Sequence, residues 1–331
     1  VKTLSEYGTP YTLGRRIGFY VFTTDIHRYS TTAPIDFGRS ASLSSVLICI
    51  CMGMWLLQNY ITSRTSYRLV SGKGSRPART ELSRVGQMLA WLWVLLVVLI
   101  AIGVPYFSII STSLIKLRGY GLAAGNFTFD HYIELFSTGK ALDAIWCSLF
   151  LAISSATICS VIGTAVVVTV QRARGIGKKA LEGISLLPEM LPSIVLVIGI
   201  MLFWNAIYRV IPLYNTIGIM VLAYVVLYLP YTVQYVSSAF TQINGSLLEA
   251  GRTFGGSPSY VFRRITLPMI SRGIFAGWMM IFIIAFRELV TASLIAPPNV
   301  LVVSTYINRE FEQGSVSLGM AMAVLCVLIT T

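Results

Sequence analysis

Charge is what this chain has least of. Only 11% of its 331 residues are Asp, Glu, Lys or Arg, and just 13 of those are acidic. A soluble globular domain carries about 25% charged residues, so too little charge is present to clothe a water-facing surface, and a chain that lives in a bilayer is implied. Histidine is scarcer still: His27 and His131 are the two in the sequence, and neither has the carboxylate or cysteine company of a metal site. The five cysteines (Cys49, Cys51, Cys147, Cys159, Cys326) all fall inside apolar runs. They read as small core residues rather than as metal ligands or a disulfide framework. Catalytic constellations are missing as well. Around Gly72-Lys73-Gly74, Tyr67 stands where a phosphate loop needs its first glycine, and Gly74 where it needs Ser or Thr, so ATP binding by that route is excluded. No catalytic residue, no metal site and no cofactor bound by this chain are expected. The N-terminus also lacks the basic start, apolar core and small-residue cleavage site of a signal peptide.

What is present is apolar sequence. Hydrophobic residues make up 55% of the chain and the mean hydropathy is +0.75. A short helical tail over 1–13 is followed by a polar stretch to about Ser40. Complete spans are then expected near 41–61, 89–115, 143–170, 188–207, 215–240, 271–296 and 315–331, each with roughly the 20 apolar residues that cross a bilayer as a helix. The expected fold is all-α, a polytopic transmembrane helical bundle embedded in lipid. Pro192 and Pro230 lie in spans and predict kinks, which act either as hinges or as static bends. Gly273-x-x-x-Gly277 fits a close helix–helix contact. The net charge of +12 is not a nucleic-acid footprint, because the basic residues sit in short connectors without interleaved aromatics. Arg64, Arg68, Lys73, Arg76, Arg79 and Arg84 fall in one connector, Arg172, Arg174, Lys178 and Lys179 in a second, and Arg252, Arg263, Arg264 and Arg272 in a third. The connectors that alternate with these hold fewer, so the rich ones should face the cytoplasm. The 15–40 connector, with Arg15, Arg16, Arg28 and Arg39, is the exception.

One polar segment between apolar runs has internal order. From Glu249 to Pro268 the chain reads Glu-Ala-Gly-Arg-Thr-Phe-Gly-Gly-Ser-Pro-Ser-Tyr-Val-Phe-Arg-Arg-Ile-Thr-Leu-Pro. Glu249-Ala250-Gly251, three residues, Gly255, nine residues, and Ile265-Thr266-Leu267-Pro268 resemble the loop that ABC-importer permeases present to their ATPase subunits. The departure is Gly251, where that family has Ala. Gly255-Gly256 permits a sharp change of direction, Ser257 suits an N-cap and Pro258 the first position of a helix over Pro258–Arg264. Tyr260 and Phe262 are candidate apolar contacts, and Leu267-Pro268 is expected to start the next membrane helix. The resemblance implies the type I ABC-importer permease fold, a bacterial cytoplasmic (inner) membrane location with the 249–268 loop cytoplasmic, and coupling through that loop to two cytoplasmic ATPase subunits that use the ATP. It also implies a periplasmic or surface solute-binding protein outside.

The two ends of the chain are similar to each other. Leu4-Ser5-Glu6-Tyr7-Gly8-Thr9-Pro10 lines up with Phe286-Arg287-Glu288-Leu289-Val290-Thr291-Ala292, and Thr23-Thr24 with Ser304-Thr305 after one residue of slippage. The expectation is that 1–61 is the truncated C-terminal end of a first permease unit, 62–88 a basic cytoplasmic linker, and 89–331 a second unit, truncated at its C-terminus. The missing first unit of the same chain then becomes a partner. Arg287-Glu288-Leu289, Ser5 to Pro10, and Phe127-Thr128-Phe129-Asp130-His131-Tyr132 carry a narrower resemblance to the fused, two-unit permeases of ferric-iron importers. Permeases for polyamines, sulfate or phosphonates share much of the architecture, and an ion-coupled secondary transporter would leave the 249–268 order unexplained. Ionisable groups at the edge of a span face a bundle interior or water. Glu6, Arg287, Glu288 and Thr291 therefore either line the translocation path or form an interhelical ion pair. Glu189 is expected at a helix start, complementing its N-terminus.

Overall fold

The computed structural model describes residues 3–14, 17–64 and 83–331. Most of the expected 62–88 linker, residues 65–82, lies outside the described residues, as do Arg15 and Arg16. The described chain is helical, as a bilayer demands of backbone whose polar groups must be satisfied within the segment. A π-turn at Pro10–Gly14 precedes α1 (Phe22–Thr31) and α2 (Phe37–Arg64). Then come α3 (Arg84–Val98), α4 (Val104–Leu114), α5 (Asp130–Ser137), α6 (Gly139–Arg172), α7 (Gly175–Met190), α8 (Ser193–Ala206) and α9 (Ile217–Thr241). The chain ends with α10 (Gly245–Thr253), α11 (Pro258–Val261), α12 (Leu267–Phe286), α13 (Val290–Ile295), α14 (Val303–Gln313) and α15 (Val316–Thr330). His27 and His131 lie on α1 and α5 rather than in loops.

Among the described residues, five helices are long and apolar enough to cross a membrane: Phe37–Gln58, Arg84–Leu114, Gly139–Arg172, Ile217–Thr241 and Pro258–Phe286. Three expected spans come out differently, and the one near 315–331 is the shorter apolar helix α15, of 15 residues. The one near 188–207 is a pair, α7 and α8, bent by 105°. Pro192 lies at the break, as the N-cap of α8, where its missing N–H costs nothing. The span expected at 271–296 instead begins at Pro258, stops at Phe286, and is followed after a break by α13. Pro230 stays inside the unbroken α9.

Two helices run through prolines by one device. The π-turn Leu99–Gly103 ends two residues before Pro105, and the π-turn Phe262–Thr266 two residues before Pro268. A proline lacks an N–H and its ring collides with the carbonyl four residues earlier; widening the preceding turn lets the helix continue. This is why Leu267-Pro268 does not begin a new helix.

The chain forms two compact units. The first comprises Val1–Leu56, Leu142–Thr305 and Thr330; the second comprises Leu57–Ala141, Tyr306–Ile329 and Thr331. In the first unit α9 is the central element, and α12 and α7 pack along it. A Cβ on Gly273 would lie 2.5 Å from Ala239 Cβ and 2.9 Å from Tyr235 O, and one on Gly277 3.3 Å from Thr232 Cα. The small residues read from the sequence thus mark where α12 touches α9. On another side of α9, a Cβ on Gly163 of α6 would meet Thr232 Cγ2 at 2.7 Å. Val167, Val233, Val236 and Ile270 form one apolar core; Tyr7, Ile26, Leu47, Cys51, Ile194 and Ile198 form another, against which Leu289, Val290 and Leu294 pack. In the second unit α3, its π-turn and α4 form one long rod exposed along nearly its whole length. Beyond it, Asn126 ties a loop together by donating to the Leu117 and Gly121 carbonyls, both at 2.8 Å.

Candidate functional sites in the first unit

The segment from Gly245 to Pro268 is built as a helix, a tight turn and a second helix. Helix α10 starts at Asn244, whose side chain accepts from the Ser246 N–H at 3.2 Å. It is separated from α9 by a break at residues 242–244, so Glu249 lies in mid-helix and not where α9 leaves the bilayer. The end of α10 is a Schellman motif: Gly256 N–H donates to the Gly251 carbonyl at 3.1 Å and Gly255 N–H to that of Arg252 at 3.0 Å. Gly255 has φ +82°, the left-handed conformation that glycine takes without strain. The motif therefore has a geometric basis, because Gly251 and Gly255 are the two ends of one helix cap.

Gly251, the departure from the family pattern, is packed as tightly as the cap. A Cβ there would lie 2.7 Å from Ile265 Cδ1 and 3.3 Å from Val261 Cγ2; one on Gly256 would lie 2.5 Å from the Gly251 carbonyl oxygen and 3.2 Å from the same Val261 methyl. Buried Val261 and half-buried Ile265 thus clamp α10 onto the start of the next helix. Ser257 caps that helix, accepting from the Tyr260 N–H at 3.3 Å, with Pro258 at its first position. Phe262 is half-buried, whereas Glu249, Ala250, Leu267 and Pro268 are exposed. Among the large apolar side chains of the segment, Phe254 stands furthest out, 91% exposed, followed by Tyr260 at 58%. Sequence reasoning passed over Phe254, although its position immediately before Gly255, at the helix cap, was the available signal.

Glu288 lies in the break between α12 and α13. One carboxylate oxygen accepts from the Thr291 N–H at 3.1 Å and from the Thr291 hydroxyl at 3.3 Å, which caps α13. The other accepts from the Tyr228 hydroxyl of α9, and Ser304 donates to the Glu288 carbonyl. Arg287 is exposed, and among the described residues no salt bridge joins it to Glu288. Glu6 shows the same local pattern: its carboxylate accepts from the Thr9 N–H and hydroxyl, both at 3.4 Å, and the Thr23 hydroxyl donates to its carbonyl at 2.8 Å. The likeness continues downstream. Thr24 closes a turn on Val21 (2.8 and 2.9 Å), as Thr305 does on Val302 (both 3.0 Å). The two segments paired by sequence therefore share one hydrogen-bonding code. Glu189, expected at a helix start, is instead near the end of α7 and accepts from the Gln234 side chain of α9.

Residues 161–331, just over half of the chain, match the family described as binding-protein-dependent transport system inner membrane component, and the chain belongs to that family. Among its relatives, the spermidine/putrescine transport system permease protein PotC of Haemophilus influenzae is 25% identical over 238 residues, 69% of this chain and 91% of PotC. The Fe(3+)-transport system permease protein FbpB 2 of the same organism is 24% identical over 323 residues, 95% of this chain and 59% of FbpB 2. Among solved structures, a bacterial alginate ABC transporter in complex with an alginate pentasaccharide-bound periplasmic protein matches with a TM-score of 0.58 at 20% identity, covering 74% of this chain and 89% of its own. A bacterial ABC transporter involved in alginate import gives 0.56 at 17% identity, covering 75% and 94%. The fold is the all-α, multi-pass bundle of type I ABC-importer permeases, and the chain is a permease subunit of an ABC importer of the inner membrane.

Proposed function

We propose that this permease subunit imports ferric iron, and that the Glu249–Pro268 segment is its cytoplasmic seat for an ATP-hydrolysing subunit. The observation that supports the iron reading is extent: the similarity to the ferric-iron permease runs through 95% of the chain, whereas the polyamine permease, matched over 91% of its own length, answers to 69% of it. The shared hydrogen-bonding code of the two ends supports reading 1–61 as the end of a first permease unit, 62–88 as a cytoplasmic linker and 89–331 as most of a second. A first unit would bring a second seat, hence two ATPase subunits, with a solute-binding protein delivering cargo on the opposite face. Glu6, Arg287, Glu288 and Thr291 are assigned to the translocation path.

The docking assignment rests on a rigid, capped turn with an aromatic side chain standing free at its apex. Such an anchor suits a groove in a partner, because an exposed aromatic brings large contact area and little rotamer entropy. Arg252, Arg263, Arg264 and Arg272, in or beside the segment, favour the cytoplasmic face. Phe254→Ala should leave the unfolding midpoint unchanged, since the side chain touches little, yet reduce ATPase association and ATP-driven uptake at least tenfold. Uptake that persists without ATPase subunits would overturn the reading. For cargo, the test is uptake of radioactive Fe3+ against putrescine by the complex reconstituted with its binding protein; putrescine alone crossing would replace iron with a polyamine.

A further inference from the structure

Helix capping explains only part of the Glu288 cluster. Glu6 and Glu288 cap their helices through the same threonine pattern. Glu288 alone receives a phenol, from Tyr228. One helical turn earlier on α9, Tyr224 sets its ring edge-on to that of Tyr228, centroids 5.8 Å apart. Tyr224 is 1% exposed, and its hydroxyl is buried without a hydrogen-bond partner. A phenol orphaned in this way is costly, and phenylalanine would fill the same space without the loss. Packing therefore accounts for the ring at 224 but not for its oxygen.

We propose that Glu288, Tyr228 and Tyr224 form a transit site for Fe3+, an inference that rests on the iron reading above. A small trivalent cation takes hard, anionic oxygen ligands. An uncompensated ion of that charge cannot enter a low-dielectric span. One carboxylate and two phenolates carry three negative charges and neutralise it. Each phenol releases its proton to solvent as it binds, driven by the charge of the ion, and no electron is transferred. In the present conformation the two phenols are sealed off: Tyr224, Tyr228, Phe286 and Thr291 are all buried, while Glu288 is half-buried. Entry of the ion exchanges the Tyr228–Glu288 hydrogen bond for two oxygen–iron bonds, so that the ion itself bridges α9 and the segment that opens α13.

The test is Tyr224→Phe in the complete complex, reconstituted with its ATPases and a binding protein loaded with radioactive Fe3+. The variant removes one oxygen that bonds to nothing, so its unfolding midpoint should stay the same or rise. Iron uptake should fall at least tenfold, and Tyr228→Phe and Glu288→Gln should do the same. Wild-type uptake of Fe3+ with an unimpaired Tyr224→Phe variant overturns the transit site and leaves the iron reading intact. A wild-type complex that takes no Fe3+ overturns both.

Discussion

Gly256→Ala is the sharpest perturbation available to the α10 turn. The added methyl would lie 2.5 Å from the backbone oxygen of Gly251, with Val261 Cγ2 at 3.2 Å behind it. Relief cannot come from a rotamer change, because the colliding atom is backbone. Overpacking of this kind costs about 1–3 kcal/mol. Opening the turn to avoid it breaks the 3.1 Å bond from Gly256 N–H to Gly251 O, which itself costs about 0.5–1.5 kcal/mol. The closed turn therefore loses about 1–3 kcal/mol, a drop of roughly 5- to 140-fold in its population at 1.4 kcal/mol per decade. Gly255 is the internal control. It has φ +82° but nothing within 4 Å of a built Cβ, so Gly255→Ala costs only the left-handed backbone, about 1–2 kcal/mol, and Gly255→Asn less. Amide exchange across residues 251–262, measured beside ATP-driven uptake, should rank the variants Gly256→Ala, Gly255→Ala, Gly255→Asn from worst to best. A Gly256→Ala variant that keeps its exchange protection and its uptake while Gly255→Ala loses both would refute the Schellman geometry as the working form.

Gly251→Ala restores the residue usual in the family and should be nearly neutral alone, since about 1 kcal/mol of helix propensity offsets the displacement of Ile265 Cδ1 from 2.7 Å. Ile265→Val deletes that atom, so the double variant should be more stable than the single effects sum to, by about 1 kcal/mol in a thermal-unfolding cycle; simple additivity would contradict the contact. Gly273→Leu drives a side chain into Ala239 and the Tyr235 carbonyl. It should cost more than about 3 kcal/mol and abolish folded protein in detergent-solubilised size exclusion, whereas Gly175→Leu, with open space around it, serves as a control for bulk though not for its own φ of +65°.

Which of these features could be read from sequence depended on whether the determinant was local. Apolar length fixed α2, α6 and α9 to within a few residues, because a bilayer demands about 20 apolar residues whatever the neighbours are. Prolines misled where the chain could adapt: Pro268 seemed to open a helix, but a π-turn absorbs it, and that turn is a property of the residues before it. The docking pattern was legible as spacing while its reason was not. That Gly251 must be small follows from Val261 and Ile265, ten and fourteen positions later, folding back over it. Tyr224 and Tyr228 were invisible for a related reason. Tyrosines four apart in an apolar run look like core, and only the arrival of Glu288 from the break between α12 and α13 gives one of them a partner and leaves the other without.

The two ends of the continuous helix that runs from α11 through the π-turn into α12 connect these features physically. From Pro258 to Phe286 the helix is continuous for 29 residues, about 43 Å at 1.5 Å per residue, enough to cross a hydrocarbon core of about 30 Å. Its first turns are clamped to α10 by Val261 and Ile265, and its last residue lies two positions before Glu288. A load applied at Phe254 thus enters a rod whose far end bears on the Tyr228–Glu288 hydrogen bond. Along its middle, Gly273 and Gly277 bring the helix directly against α9, and Ile270 shares a core with Val233 and Val236, so the two helices are held together there. A rigid seat, a continuous rod and a bond from α9 to Glu288 at its far end are what the proposed coupling needs. Had any one been soft, the load would be lost before it reached the Glu288 cluster.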